Sequence, residues 1–309
     1  MSFPLAIAGF EVFIPEGRIP IEDIINDVEA DPIPGIGPKA SFSDFLDKTM
    51  KLQHVSESRE ACHELMEIAL EQFLKRGLLG AEEVDMLVVL QEPSSRIPDN
   101  FGQHIINKFG FTNAYSMNMG GNHCANVEAA LPMLMRTPYK NILMLGGLHT
   151  RGLSKRIYGG FGIVGDAGGV IWLSATSRLA ELISFEYNVN PKLHRGQTGD
   201  SPVIENFKLY TELLDELKKN APEHYAAIKK IIIQNANPLL PTQIVGMKGL
   251  DKKTIFTENL GRYGHLGVVD TIINLKDVLT GPELAKGDKV LCISSGLYGS
   301  LVANIFEMN

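Results

Sequence analysis

Residues 120–131 read GGNHCANVEAAL, and residues 261–275 read GRYGHLGVVDTIINL. Each stretch sets one reactive side chain, Cys124 or His265, among glycines and small residues at the start of a helical pattern. Upstream of the first lies VDMLVVL (84–90), and upstream of the second IKKIIIQ (228–234). Short Val/Leu/Ile runs of this kind form buried parallel strands. Downstream come NILMLGG (141–147) and KVLCISS (289–295), again apolar and strand-length. Cys124 follows Val84 at nearly the spacing by which His265 follows Ile228. Two copies of one strand–helix unit are therefore expected. If they pack about a pseudo-twofold axis, the helix starts face each other and a nucleophile meets a base near the centre.

Outward from these segments, residues 3–14 suggest a first strand that stops at Pro15-Glu16-Gly17. The spacing of Cys62, Leu65, Ile68, Ala69 and Phe73 predicts a helix over 57–77. Further expectations for the first half are a helix at 99–109, a strand at 115–119, a helix at 124–135 and a strand entered through the glycine turn at 165–173. In the second half they are helices at 203–219, 241–248 and 267–279, a strand at 254–259 and a last strand entered through Gly296. Pro32, Pro34 and Pro38 with Gly35 and Gly37 mark 31–41 as a surface loop or a lid. The organisation is two halves, 1–176 carrying Cys124 and 177–309 carrying His265.

Composition narrows the class. The chain has 309 residues with 44% hydrophobic and 21% charged residues, an ordinary globular mix. A formal charge of −7, from 29 basic and 36 acidic residues, argues against a general nucleic-acid binder. Three cysteines make no disulfide framework and fit a reducing compartment. No apolar run approaches the roughly 20 residues that span a bilayer. The apolar N-terminus lacks a basic start and reads as a strand, not a signal peptide. These features predict a cytoplasmic protein with no membrane span.

A thiol at a helix start feels the positive end of the helix dipole, which favours thiolate, so Cys124 is the candidate nucleophile. The same dipole disfavours imidazolium, so His265 is expected to stay neutral and to accept a proton. A buried structural cysteine and a hydrogen-bonded structural histidine are the bland alternatives. Cys62 and Cys292 fit the core, and the remaining histidines show no metal-ligand spacing, so no metal is expected. Gly296-Leu297-Tyr298-Gly299 follows a repeat strand and could aim backbone N–H groups at an oxyanion. Neither it nor Gly165–Gly169 is a phosphate loop. Arg96-Ile97-Pro98 and the 31–50 loop are candidates for a pocket entrance. Lys155 and Arg156 read as surface charges, with contact to a phosphate or an acidic carrier protein as the alternative.

These segments together resemble thiolase-superfamily enzymes of the ketoacyl-acyl-carrier-protein synthase III type, over almost the whole chain. FIPEGRIPIEDI (13–24), VDMLVVL, GGNHCANVEAAL, FGIVGDAGGVIWL (161–173), IIIQNANPLLPTQ (231–243), RYGHLG (262–267) and SSGLYGSLVANI (294–305) carry the resemblance. It implies an α/β, five-layer α-β-α-β-α fold of two duplicated halves, usually a homodimer. It also implies acyl transfer from a thioester onto Cys124, with an oxyanion hole built from the amides of Cys124 and Gly296. The catalytic set departs from the family's Cys-His-Asn. Gln234 in QNAN (234–237) stands where the family has histidine, and His265 where it has asparagine, which leaves Cys124, Gln234 and His265. Asn237, Arg156 and Lys48 are the candidate substrate-binding residues, the last in an arginine-poor DKTMKLQHV (47–55).

The resemblance thus implies an acyltransferase using acyl-coenzyme A or an acyl-carrier-protein thioester, with no permanently bound cofactor. The acceptor is a carbon, oxygen or nitrogen nucleophile in lipid or specialised-metabolite biosynthesis. The alternatives are a non-catalytic or half-catalytic subunit paired with a ketosynthase paralogue in a heterodimer, and a thioester hydrolase.

Overall fold

The computed structural model describes residues 5–92, 96–194, 202–296 and 299–309. Ten strands form the framework. In the first half they are β1 (Ala6–Phe13), β2 (Met86–Leu90), β3 (Tyr115–Met119), β4 (Asn141–Leu148) and β5 (Ala167–Ser174). In the second they are β6 (Ala180–Val189), β7 (Ile228–Ile233), β8 (Ile255–Phe256), β9 (Lys289–Ser295) and β10 (Ser300–Met308). The first half is ordered β1-β5-β4-β2-β3 and the second β6-β10-β9-β7-β8. Each half has two antiparallel steps followed by two parallel ones. The halves join through one residue pair, Ile7 with Ala180. The duplicated topology is therefore present strand for strand.

Six main helices complete the layers: α1 (Cys62–Lys75), α2 (Phe101–Phe109), α3 (Asn126–Leu134), α4 (Pro202–Asn220), α5 (Leu239–Met247) and α6 (Val269–Thr280). α1 and α2 cover the outer face of the first sheet, and α4 covers that of the second with α5 beside it. α3 and α6 lie between the sheets, so the order is α-β-α-β-α. The apolar character of β2 follows from this position: all five of its residues are buried. The middle layer holds the largest core, where Val88, Met144, Leu131, Ile272, Val290 and Phe306 meet. Two outer cores lie under α1 and α4. A two-stranded hairpin, Gly17–Pro20 with His54–Glu57, carries a fourth cluster around Ile24, Leu46 and Val55.

Three expectations need correction. The strand Ala180–Val189 was not foreseen, because most of its side chains are half-buried and it carries Glu181 and Glu186. The strand expected at 254–259 shrinks to Ile255–Phe256, because a helix begins at Glu258. The 31–41 loop ends early, since a helix runs Lys39–Lys48 directly after Pro38, a position proline tolerates at a helix start.

The glycines of Gly165–Gly169 serve packing. A Cβ on Gly168 would lie 2.2 Å from the backbone oxygen of Leu65 in α1. On the opposite face of β5, one on Gly169 would lie 2.9 Å from Ile272 in α6. Alternate faces of one strand thus meet helices at backbone distance. Gly168→Ala is expected to lower stability by about 2–3 kcal/mol, since a backbone atom has little room to yield. A denaturant midpoint equal to that of the parent would contradict this close contact.

Candidate active site

The first repeat brings Cys124 to the end of a sharp turn. His123 adopts a left-handed conformation with φ 49°, uncommon outside glycine, and Cys124 sits in the short 3-10 turn that leads into α3. Asn126 braces this elbow. Its Oδ1 accepts the Asn122 N–H at 3.0 Å, and its Nδ2 donates to the Gln91 carbonyl at 2.9 Å. The second repeat delivers His265 by a different device. Gly264, at φ 68°, ends the preceding helix. The His265 N–H donates to the Ile163 carbonyl, and its own carbonyl accepts the Gly165 N–H. A Cβ at Gly264 would stand 2.7 Å from that Ile163 oxygen.

The two elements bring Cys124 Sγ and His265 Nε2 to 3.3 Å. On the far side of the ring, Nδ1 lies 2.6 Å from Asp270 Oδ2. Asp270 stands at the second position of α6 and is fully buried. Its carboxylate also accepts the backbone N–H groups of Leu266 at 2.7 Å and Asn235 at 2.9 Å. With Nδ1–H donating to Asp270, Nε2 is left as the acceptor facing the thiol. The side chains form a Cys–His–Asp relay.

Asp270, and not the helix start alone, sets the electrostatics of the His265 imidazole. Burial pulls the His265 pKa down, but the Asp270 charge, the adjacent thiol and their hydrogen bonds outweigh it and hold it well above the usual histidine value. Burial pushes the Cys124 thiol up and Glu92 adds to this, while His265 opposes both. Glu92, just past the C-terminal end of β2, is buried beside the sulfur and accepts the Val268 N–H at 3.0 Å. Burial raises its pKa above that of an ordinary carboxylate. Tyr158 completes the surroundings, its Oη 3.9 Å from the sulfur and its ring 5.1 Å from that of His265.

Two cavities meet at this centre, and Cys124, Tyr158 and His265 line both. The larger, about 580 Å³, is bounded by Glu92, Arg96, His149, Thr150, Arg151 and Lys155. The smaller, about 210 Å³, is bounded by Phe161, Leu193, Asn206, Gln234, Ala236 and Ser295.

The other expected site residues hold the framework. Gln234 borders the smaller cavity, but its amide is tied to Ser295. Nε2 donates to the Ser295 carbonyl at 3.0 Å, and Oε1 accepts both the N–H and the hydroxyl of Ser295. The Gly296 N–H donates to the Ser300 carbonyl at 2.8 Å. Leu297 and Tyr298, in the same expected loop, lie outside the described residues. Asn237 pins the loop beside Tyr158, with its N–H on the Phe161 carbonyl and its Nδ2 on that of Gly160.

Arg156 is not at the surface and is not presented to a ligand. It is 2% exposed, and its guanidinium grips Asp166 through two bonds of 3.0 and 2.9 Å. Lys48 is exposed, pairs with Asp44 and lines neither cavity. Lys155 is exposed, as a surface charge would be, and borders the larger one. Cys62 is buried at the first residue of α1 and borders the same cavity, whereas Cys292 lies in the core against Glu128. Among the described residues, no group of three or more His, Cys, Asp or Glu could hold a metal ion, and no helix is long and apolar enough to cross a membrane.

Asp270 and Glu92 escaped the sequence reading. A polar residue just beyond a buried parallel strand is a recurrent place for function, and Glu92 follows VDMLVVL by two positions. Asp270 lies in the quoted second repeat, but only the fold of the Leu266–Val268 turn carries it back to His265.

No protein-family model matches the sequence, and no curated protein matches it. Solved structures do. ChlB3, described as an acyltransferase, superposes with a TM-score of 0.80 at 17% identity, covering 99% of this chain and 98% of ChlB3. The 3-oxoacyl-(acyl-carrier-protein) synthase III of Aquifex aeolicus VF5 gives 0.78 at 15% identity, over 98% and 99% of the two chains. OleA of Xanthomonas campestris, solved with bound lauric acid and lauroyl-CoA, gives 0.78 at 12% identity, over 99% and 100%. End-to-end superposition, together with the paired half-sheets and central helices, shows that this chain has the thiolase-like α/β fold of synthase III structures.

Proposed function

We propose that this protein is an acyltransferase that carries an acyl group on Cys124 and passes it to a hydroxyl or amine. The observation that carries this is the Cys124–His265–Asp270 relay at 3.3 and 2.6 Å, open to two cavities. His265 Nε2 takes the thiol proton, and the sulfur attacks the carbonyl carbon of an acyl thioester. The donor's C–S bond breaks, and its sulfur leaves with the proton from the imidazolium. An acceptor O–H or N–H then gives its proton to Nε2 and attacks the acyl carbon. Cys124 leaves as thiolate and recovers the proton. Asp270 keeps the ring in the required tautomer throughout.

The donor is an acyl-coenzyme A or an acyl-carrier-protein thioester. The acyltransferase and synthase descriptions of the structural neighbours, and the lauroyl-CoA bound to one of them, support this class. The smaller cavity, with Phe161, Leu193 and Ala236 in its walls, suits the slender thioester arm. Decarboxylative condensation fits less well, because Gln234 gives one of its two amide hydrogens to Ser295 and, being neutral, supplies no imidazole-like charge to a developing enolate. Glu92 favours a second reading. A carboxylate beside the sulfur could take a proton from carbon and support a carbon–carbon bond. A homodimer suits the outermost position of β3, whose Tyr115 is 60% exposed.

Intact-protein mass spectrometry after incubation with acyl-coenzyme A thioesters tests the proposal. The expected result is an acyl mass on the parent chain, none on Cys124→Ala, and a strong loss of loading with His265→Ala. Discharge by water at the rate seen with every acceptor would mean a hydrolase. An accessible thiol that no donor acylates would mean a non-catalytic subunit. Carbon–carbon products abolished by Glu92→Gln would favour the second reading.

A further inference from the structure

The larger cavity has an unusual lining for a chain of net charge −7. Arg96, Arg151 and Lys155 border it, with His149 and the hydroxyl-bearing Thr150 between them. Among the described residues, none of the three cations is paired with a carboxylate; the chain's ion pairs lie elsewhere. The one acidic side chain in the lining, Glu92, is buried against the Val268 N–H. The wall beneath the cations is rigid. Asp166 accepts the Thr150 N–H, the Ser58 N–H and both terminal guanidinium nitrogens of buried Arg156, which fastens three segments together. Uncompensated positive charge in a concave, firmly built site favours an anion. This cavity is separate from the smaller one that suits the thioester arm, and the two share only Cys124, Tyr158 and His265.

We propose that the larger cavity seats the acyl acceptor and that the acceptor is an acid. It would be a small molecule whose carboxylate or phosphate lies among Arg96, Arg151 and Lys155 while its hydroxyl or amine reaches acyl-Cys124. This rests on the acyl-Cys124 reading above and adds the substrate class. Donor and acceptor then approach the sulfur from different sides, so the acceptor enters without displacing the arm that delivered the acyl group. The acceptor's O–H proton passes to His265 Nε2 as the new C–O bond forms and the C–S bond to Cys124 breaks.

The test uses glycerol, glycerate and glycerol 3-phosphate, which offer hydroxyls without an anion, with a carboxylate and with a phosphate. Cys124 is loaded from butanoyl-coenzyme A, and its discharge is followed by intact mass. Glycerate or glycerol 3-phosphate is expected to discharge the acyl-enzyme at least tenfold faster than glycerol. In the Arg151→Ala/Lys155→Ala variant that ratio is expected to fall about tenfold. The two replaced side chains are exposed, so the core is untouched. Equal ratios in parent and variant would overturn the proposal. So would a variant that instead changes loading from succinyl- relative to butanoyl-coenzyme A, because the cations would then read the acyl donor. A second measurement separates this proposal from the chemistry it rests on. Without any thioester, the two anions are expected to slow iodoacetamide alkylation of Cys124 in the parent and to lose that protection in the double variant. Protection without acylation would sink acyl transfer alone, and acylation without protection would sink the anion seat alone.

Discussion

Asp270→Asn is expected to slow acyl transfer by about 10³- to 10⁴-fold while the chain stays folded. The carboxylate accepts three hydrogen bonds, from His265 Nδ1–H and from the N–H groups of Leu266 and Asn235. An asparagine has one acceptor oxygen and one donor nitrogen. Keeping the Leu266 bond on Oδ1 puts its NH₂ where Oδ2 stood, so the Asn235 N–H loses its acceptor and His265 Nδ1 must become the acceptor. The ring proton moves to Nε2 and points at Cys124 Sγ, 3.3 Å away, so the base is lost although the ring has not moved. The loss should fall on kcat, since Asp270 is buried and does not line either cavity. The pH dependence has a definite sign. Asp270 raises the His265 pKa, and a protonated His265 lowers that of Cys124; the Asp270 charge also raises Cys124 directly, but less than His265 lowers it. Removing the charge therefore moves the rise of iodoacetamide reactivity to higher pH. An unchanged alkylation profile, or a transfer rate within threefold of the parent, would show that Asp270 only supports the turn.

The legible parts of the sequence were those encoded locally. Parallel strands such as VDMLVVL and NILMLGG are buried on both faces and read as unbroken apolar runs, so β2 and β4 stood out. β6 did not, because one half-buried strand with glutamates in it looks like surface. Cys124 and His265 could be paired in advance because the repeat relates their positions. Asp270 needed the third dimension: no helical period joins residues five apart, and the contact exists only because the turn after His265 folds onto the α6 N-terminus. Glu92 meets the Val268 N–H across 176 positions of chain, which no local pattern encodes. Charge was the least readable property. The helix dipole argued for a neutral His265, but a carboxylate at 2.6 Å outweighs a dipole end. Arg156 looked like a surface cation because its partner, ten residues on in a glycine-rich strand entry, gave no sign of being buried.

That buried pair leads to the largest expected effect on stability. Asp166→Ala should destabilise the chain by about 3–5 kcal/mol, the usual result of removing one partner from a buried ion pair. Asp166 is 0% and Arg156 2% exposed, so the guanidinium would be left without a counter-charge and without water. Arg156 Nε has no hydrogen-bond partner, and what would remain are two long bonds from Nη1 to the neutral carbonyls of Ser56 and Val164, at 3.4 and 3.3 Å. The backbone N–H groups of Ser58 and Thr150 would lose their acceptor as well, each a further cost when buried. A fall in thermal midpoint on the order of 5–10 °C should result. Replacing both partners separates charge from packing. Asp166→Leu with Arg156→Met removes the stranded cation and restores apolar volume, so the double variant should recover a large part of the loss. One of the two orphaned backbone groups, that of Thr150, lies in the wall of the larger cavity, so recovery of stability need not restore the anion preference. A single variant melting within about 1 °C of the parent, or a double variant no better than the single, would mean that this charge pair is not what holds the cavity wall to the sheet.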